Sequence, residues 1–160
     1  MRAAPTAQPP RHLSRSGQPT RQLGDPRLAS LDFRGVTPEE RLDLAHGQPA
    51  RVQVAWIEPT DWSDLAVYAF YALENVVVAA AEHLRIPWQR SHPKKADLAA
   101  QLHKSHGLPD VSALLRALNE LRKSQAYGEA PAPSSLDAED IAASTEGYID
   151  AVAGLIGGQK

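Results

Sequence analysis

Apolar positions dominate one long stretch in the middle of the chain. From Leu65 to Ala81, apolar side chains fall on nearly every side of a helical wheel. The pattern predicts a helix from about residue 62 to residue 84, with a cap at Asp61 or Ser63 and an end before Pro87. A helix that is apolar on every side has to be covered on every side. We therefore expect a second copy of this chain, or a partner protein, to bury its second apolar face.

Three further amphipathic helices are predicted after this one. The first spans about residues 93–106, and the next begins after a cap at Asp110 and ends before Gly128. The last begins after a cap at Asp137 and ends at a pair of glycines. Four helices joined by short connectors, without a credible sheet, predict an all-α fold. The expected architecture is an antiparallel four-helix bundle over residues 61–157.

The residues before this bundle show weaker patterns. Residues 1–30 are rich in proline and arginine, and this composition predicts a disordered basic tail. Within residues 31–60, the segment Thr37–Glu40 has the pattern of a helix start with a capping box, and Gly47 ends that short helix. Residues 51–57 alternate in a period of two, which predicts a short strand or an extended arm.

Composition excludes several kinds of site. The chain has no cysteine, so disulfides and thiolate metal sites are ruled out. Its formal net charge of −2 gives no overall attraction to nucleic acid. His103 and His106 share one helical face and would suit zinc with His83 or His92, but a solvated or capping role is favoured. No cofactor or metal is therefore expected.

The apolar stretch also raises the question of a membrane span. Glu74 and Asn75 lie near its middle and the stretch is short for a bilayer, which favours a buried bundle helix. The first thirty residues lack the apolar run of a secretory signal. We therefore expect a cytoplasmic protein that does not enter a membrane.

Arg122 stands on the apolar stripe of the third bundle helix. The stripe runs through Leu115 and Leu118 and then reaches Arg122, so this cation points toward packed neighbours. Glu74 interrupts a very apolar helix and also needs a partner, for which Arg122 is the natural candidate. The alternative is an ordinary structural role, in which Arg122 pairs with Glu74 or Glu120 or extends past the edge of the core.

A basic connector follows the first long helix. Its cations and ring side chains are of the kind that bind single-stranded nucleic acid, namely Arg85, Trp88, Arg90, His92, Lys94 and Lys95. A solvated loop without a ligand is the alternative.

The order of these features resembles the HEPN superfamily of small helical domains associated with nucleotides and RNA. The resemblance is carried by the Tyr68–Asn75 run in the first long helix, by His92 and the lysine pair of the connector, by residues 121–128 and by the acidic cap of the last helix. It covers about residues 61–157. It implies a dimeric module that binds RNA, a nucleotide or a partner such as a cognate antitoxin, within a toxin–antitoxin or defence-type system.

The resemblance also implies site residues. Active HEPN members carry an arginine, usually followed by a polar residue, and a histidine after four to six intervening residues. Here Arg122 matches the arginine, Lys123 takes the polar position, Tyr127 stands where the histidine belongs, and Glu74 is a supporting residue. A tyrosine is a poor general base at neutral pH, whereas a histidine titrates near neutrality.

Three interpretations follow. The first is a binding module with weak or no catalysis. The second is an active metal-independent endoribonuclease that uses Arg122 and Tyr127, and the third is a structural helical adaptor without nucleic-acid contact.

Overall fold

The computed structural model describes residues 35–57, 60–126, 133 and 135–158. Within these ranges the chain is all-α and has no β-strand, which confirms the predicted fold class. The described residues form six helices, namely α1 (Pro38–His46), α2 (Pro49–Trp56), α3 (Trp62–His83), α4 (His92–His106), α5 (Ser112–Ala126) and α6 (Ala138–Gly157). The predicted tail at residues 1–30 and the candidate catalytic residue Tyr127 lie outside the described residues.

Three of the predicted helix starts are confirmed by their caps. The Thr37 hydroxyl accepts a hydrogen bond from the Glu40 backbone N–H at 3.1 Å, and the Glu40 carboxylate accepts one from the Thr37 backbone N–H at 2.7 Å. Asp61 and Asp137 each cap their helix in the same way. One carboxylate oxygen accepts a hydrogen bond at 3.0 Å from the backbone N–H three residues further along the chain. These bonds satisfy donors that have no partner inside the first turn of a helix.

The prediction of a strand or extended arm at residues 51–57 is wrong, because most of this segment is helix α2. Pro49 occupies the first turn, where its missing N–H costs nothing. Val52 and Ala55 are buried and lie three residues apart, which is the spacing of one helical face. In so short a run, periods of two and of three to four fit the same apolar positions, and packing against α3 and α6 decides between them.

Helix α3 is the centre of the fold. It contacts each of the other five helices, while α4 packs against α5 and α6 packs against α1 and α2. Thirteen of its 22 residues are buried. Two N-terminal helices, α1 and α2, therefore pack onto the predicted four-helix bundle. They cover part of the apolar surface of α3 that was expected to need a second chain. Dimerisation stays a prediction, but it no longer follows from an uncovered face of α3.

Helix α3 is also the one described helix that is long and apolar enough to cross a membrane. Most of it is buried against other helices of the same chain, as expected for the core helix of a bundle. Its length and composition are therefore weak grounds for a membrane span.

A partly buried ion pair joins α1 to the end of α3. The Arg41 side chain is 4% exposed, and its Nε atom lies 2.7 Å from Oε2 of Glu82. The indole N–H of Trp88 donates to the other oxygen of Glu82 at 3.2 Å, and the Arg41 guanidinium lies 5.6 Å from the Trp88 ring centre. Breaking a pair of this kind leaves a charge in a poorly hydrated place, so this cluster anchors α1.

Candidate functional site

The carboxylate of Glu74 lies inside the bundle and has two partners. The side chain is 4% exposed; Oε1 lies 2.7 Å from Nδ1 of His92, and Oε2 accepts a hydrogen bond from the Lys95 ammonium at 2.9 Å. Both partners belong to the first turn of α4, where residues three apart share a face. The expected pairing of Glu74 with Arg122 is wrong, because the start of α4 approaches this carboxylate instead.

Arg122 points toward packed neighbours, as its place on the apolar stripe predicts. The guanidinium carbon lies 4.9 Å from the centre of the Phe70 ring and 5.6 Å from that of Tyr71. One terminal nitrogen donates to the side-chain oxygen of Asn119 at 3.0 Å, and the other donates to the Tyr71 hydroxyl at 3.3 Å. Its buried Nε has no partner among the described residues. The arginine is thus held by two rings and two hydrogen bonds rather than by a carboxylate.

The Phe70 ring connects these two groups. The His92 ring meets it edge-on, with the ring centres 5.1 Å apart and an angle of 64° between the planes. Arg122 lies over the same ring. Phe70 precedes Glu74 by four residues on α3, so one helical face presents the ring and the carboxylate together. The structure therefore brings Arg122, Glu74, His92 and Lys95 into one neighbourhood, although only the first two were predicted to share a site.

A groove runs beside this neighbourhood between α4 and α5, with a volume of about 310 Å³. Its floor is largely apolar and its rim carries polar and charged side chains. The residues that line it are His92, Pro93, Ala96, Leu115, Arg116, Asn119, Glu120 and Lys123. His92 and Asn119 link the groove to Glu74 and to Arg122, respectively.

The lysine and the arginine that line the groove form their ion pairs with exposed carboxylates. Lys123 lies 2.8 Å from Glu120, and Arg116 lies 2.8 Å from Asp97, with every one of these side chains at least half exposed. The hydrogen bond from Arg116 holds the pKa of Asp97 below its usual range. Pairs in this setting are weak in water, so an anionic ligand can take over either cation at small cost.

The six predicted nucleic-acid residues of the connector do not form one surface. His92 and Lys95 turn inward onto Glu74. Trp88 packs against the core and its N–H is bound to Glu82. The other three residues, Arg85, Arg90 and Lys94, are exposed. Of these, Lys94 lies 3.4 Å from Asp97. Much of the positive charge in this stretch therefore already faces a carboxylate.

Sequence reasoning did not assign a role to three residues that shape the site. Phe70, Tyr71 and Asn119 hold Arg122, and the first two lie four and three residues before Glu74 on α3. Helical spacing from Glu74 was the available signal for both rings. Asn119 lies three residues before Arg122, which is again one turn of helix.

The histidines at the end of α4 have a different environment. The Nδ1 atom of His103 lies 2.7 Å from the carbonyl oxygen of Leu108, so this ring binds the backbone of the following turn. Across the part of the chain that the structure describes, no three histidine, aspartate or glutamate side chains are gathered as metal ligands.

No family model, curated protein or solved structure matches this chain. The resemblance to the HEPN superfamily thus rests on the motif residues and the order of the helices, and any function has to be supported by the geometry of the site.

Proposed function

We propose that this protein is a HEPN-like helical module that binds RNA or a nucleotide in the groove between α4 and α5. The observation that carries the proposal is the position of Arg122, held over Phe70 at 4.9 Å next to a groove whose rim contains His92 and Lys123. An arginine fixed by ring stacking and two hydrogen bonds is preorganised, so little side-chain entropy is lost when it meets a phosphate.

The size and lining of the groove suit one nucleotide unit of a flexible strand. A volume of about 310 Å³ is at the small end for ligand sites, and it is too small for a duplex. Pro93 offers an exposed apolar surface for a base above the buried Ala96 and Leu115, while Arg116 and Lys123 offer charge for a phosphate. Single-stranded RNA combines these two requirements.

The cellular setting follows from the resemblance. A cytoplasmic module of a toxin–antitoxin or defence-type system, acting as a homodimer or with a cognate partner protein, is the proposed context. Weak or absent catalysis is the proposed default, because Tyr127 replaces the histidine of the family motif.

Binding of single-stranded RNA by two charge-matched variants tests the proposal. Lys123→Ala removes a cation at the groove, and Lys104→Ala removes an exposed cation of α4 that does not line it. Fluorescence anisotropy with a labelled oligonucleotide should show about a fivefold weaker affinity for Lys123→Ala, as expected for one exposed phosphate contact of about 1 kcal/mol. The Lys104→Ala variant should stay close to the unaltered protein.

Equal losses in the two variants would mean that binding follows overall charge rather than the groove. Failure of the unaltered protein to bind RNA or mononucleotides at low salt would leave the structural adaptor as the better interpretation.

A further inference from the structure

We propose that a second copy of this chain binds to the outer face of α2, so that two α2 helices pack against each other across a two-fold axis. This gives the proposed homodimer an interface, and in that respect alone the inference rests on the proposed function. It does not need RNA in the groove between α4 and α5. Helix α2 precedes residue 61, so it lies outside the part of the chain that resembles the HEPN superfamily.

The outer face of α2 is apolar where the surface of a helix is usually polar. Val54 is 72% exposed, and Ile57, which directly follows the helix, is 60% exposed. With the exposed Ala50 they follow the spacing i, i+4, i+7, which is one side of a helix. Val52 and Ala55 already form the buried side that faces the rest of the bundle. The outer row is therefore available for a contact with another molecule.

Helix propensity does not explain the valine in this row. Valine is a poorer helix former than glutamine or lysine, because its branched side chain is restricted at χ1. Helix α2 has eight residues and no side-chain hydrogen bond at its N-terminal cap, so it is marginal by itself. An unbranched polar residue at position 54 would stabilise the helix better. The exposed Val54 thus indicates a contact that favours an apolar side chain.

A groove beside the row provides a surface that can receive such a side chain. It lies between α2 and the start of α3 and has a volume of about 640 Å³. The apolar residues that line it are Ala50, Val54, Ala55 and Tyr68, of which Ala55 is buried. In a two-fold contact, Val54 of each copy meets the groove of the other copy, so the same apolar surface is buried twice.

The charges of the groove favour a second copy over other partners. They have both signs, because Arg51, Asp61 and Asp64 all line it. The Arg51 guanidinium lies over the Tyr68 ring, 5.4 Å from its centre, and neither Arg51 nor Asp64 forms an ion pair within the described residues. A uniformly basic segment would meet Arg51, and a uniformly acidic one would meet the two carboxylates. A copy related by a two-fold axis presents the same set in reverse order, so Arg51 of each copy can meet Asp64 of the other.

Sedimentation equilibrium of the full chain measures this association. We expect the mass to rise from 17.3 kDa toward twice that value as the protein concentration passes through the micromolar range. Val54→Gln should weaken dimerisation about tenfold or more, since a two-fold interface loses the side chain twice. Leu44→Gln is the matched control, because it removes a side chain that is 49% exposed on α1 and lines a different groove. It should dimerise like the unaltered protein.

Two charge reversals test the two-fold arrangement. Arg51→Glu and Asp64→Arg each bring like charges together in the dimer, so each variant alone should dimerise about tenfold more weakly. In an equimolar mixture, position 51 of each chain meets an opposite charge at position 64 of the other chain. The mixture should therefore form a heterodimer with nearly the affinity of the unaltered protein. A folding defect cannot produce this rescue, because both chains in the mixture are still altered.

Three outcomes overturn the inference. A chain that stays monomeric throughout the micromolar range leaves the outer face of α2 to a different protein, while the RNA-binding assay still decides the proposed function. Equal dimerisation of Val54→Gln and Leu44→Gln places the interface on another surface. Mixed charge variants that associate no better than either one alone exclude the pairing of Arg51 with Asp64 across a two-fold axis.

Discussion

Replacing Glu74 by glutamine tests whether the buried carboxylate holds α4 against α3. Glutamine has nearly the same shape, but it has one acceptor oxygen where the carboxylate offers two. The amide oxygen can still accept from Lys95 at 2.9 Å, but the amide N–H₂ can only donate to His92 at 2.7 Å, so His92 has to change tautomer and neither contact keeps a negatively charged acceptor. Glu74→Gln should consequently lower the free energy of unfolding.

The magnitude follows from the environment of the three groups. A hydrogen bond to a charged group contributes about 1.5–3 kcal/mol. Removing the carboxylate also removes the cost of its burial, which offsets part of this loss. Lys95 and His92 are 16% and 39% exposed, so either can turn toward water once it is released. We expect a net loss of about 2 kcal/mol, below the 3–5 kcal/mol of a fully buried broken pair.

Urea unfolding followed by circular dichroism measures this loss, and Glu120→Gln is its control. The control makes the same chemical change at a carboxylate that is 72% exposed and accepts from Lys123 at 2.8 Å and from the Asn119 amide at 3.4 Å, so it should cost less than about 0.5 kcal/mol. The double variant Glu74→Gln/Lys95→Met should cost less than the sum of its two single changes. Equal effects of Glu74→Gln and Glu120→Gln would refute the assignment of a stabilising role to the buried carboxylate.

Two further predictions concern helix ends. Gly107 follows α4 at φ +71°, where a Cβ meets no atom but strains the backbone, so Gly107→Ala should lower the unfolding free energy by about 1 kcal/mol. Arg85 has φ 57°, so Arg85→Gly should have the opposite sign in the same urea assay, by less than about 1 kcal/mol because glycine also loosens the unfolded chain. A loss of unfolding free energy in both variants would contradict the prediction for Arg85, and a gain in both would contradict the prediction for Gly107. Asp110 accepts a hydrogen bond from the Ser112 backbone N–H, which holds its pKa below the usual range. Its stabilisation is present at neutral pH and is lost as pH falls through the folded pKa, so the deficit in melting temperature of Asp110→Asn should shrink on acidification. A deficit that is constant with pH would show that the charge of Asp110 is irrelevant.

The helices after residue 60 were predictable because their signals are local. Asp61 and Asp137 cap their helices through their own side chains and the next few backbone N–H groups. Helix α2 was not predictable, since a run of eight residues fits two periods equally well and only contact with α3 and α6 selects the helix.

Only the part of the candidate site that depends on local spacing was predictable from the sequence. The apolar stripe of α5 places Arg122 against the core, and helical geometry alone leads to that expectation. Its contact with Phe70 and Tyr71 depends on which residues of α3 face α5, and no spacing within either helix contains that information.

What the sequence by itself determined about this protein is its all-α class, the caps of its main helices and the inward direction of Arg122. Each of these depends on residues within a few positions of one another. Only the tertiary structure decided that Glu74 meets His92 and Lys95, which lie 18 and 21 positions further along the chain. The partner of a buried charge is set by how helices approach in space, and here the first turn of α4 lies closer to that charge than Arg122 does.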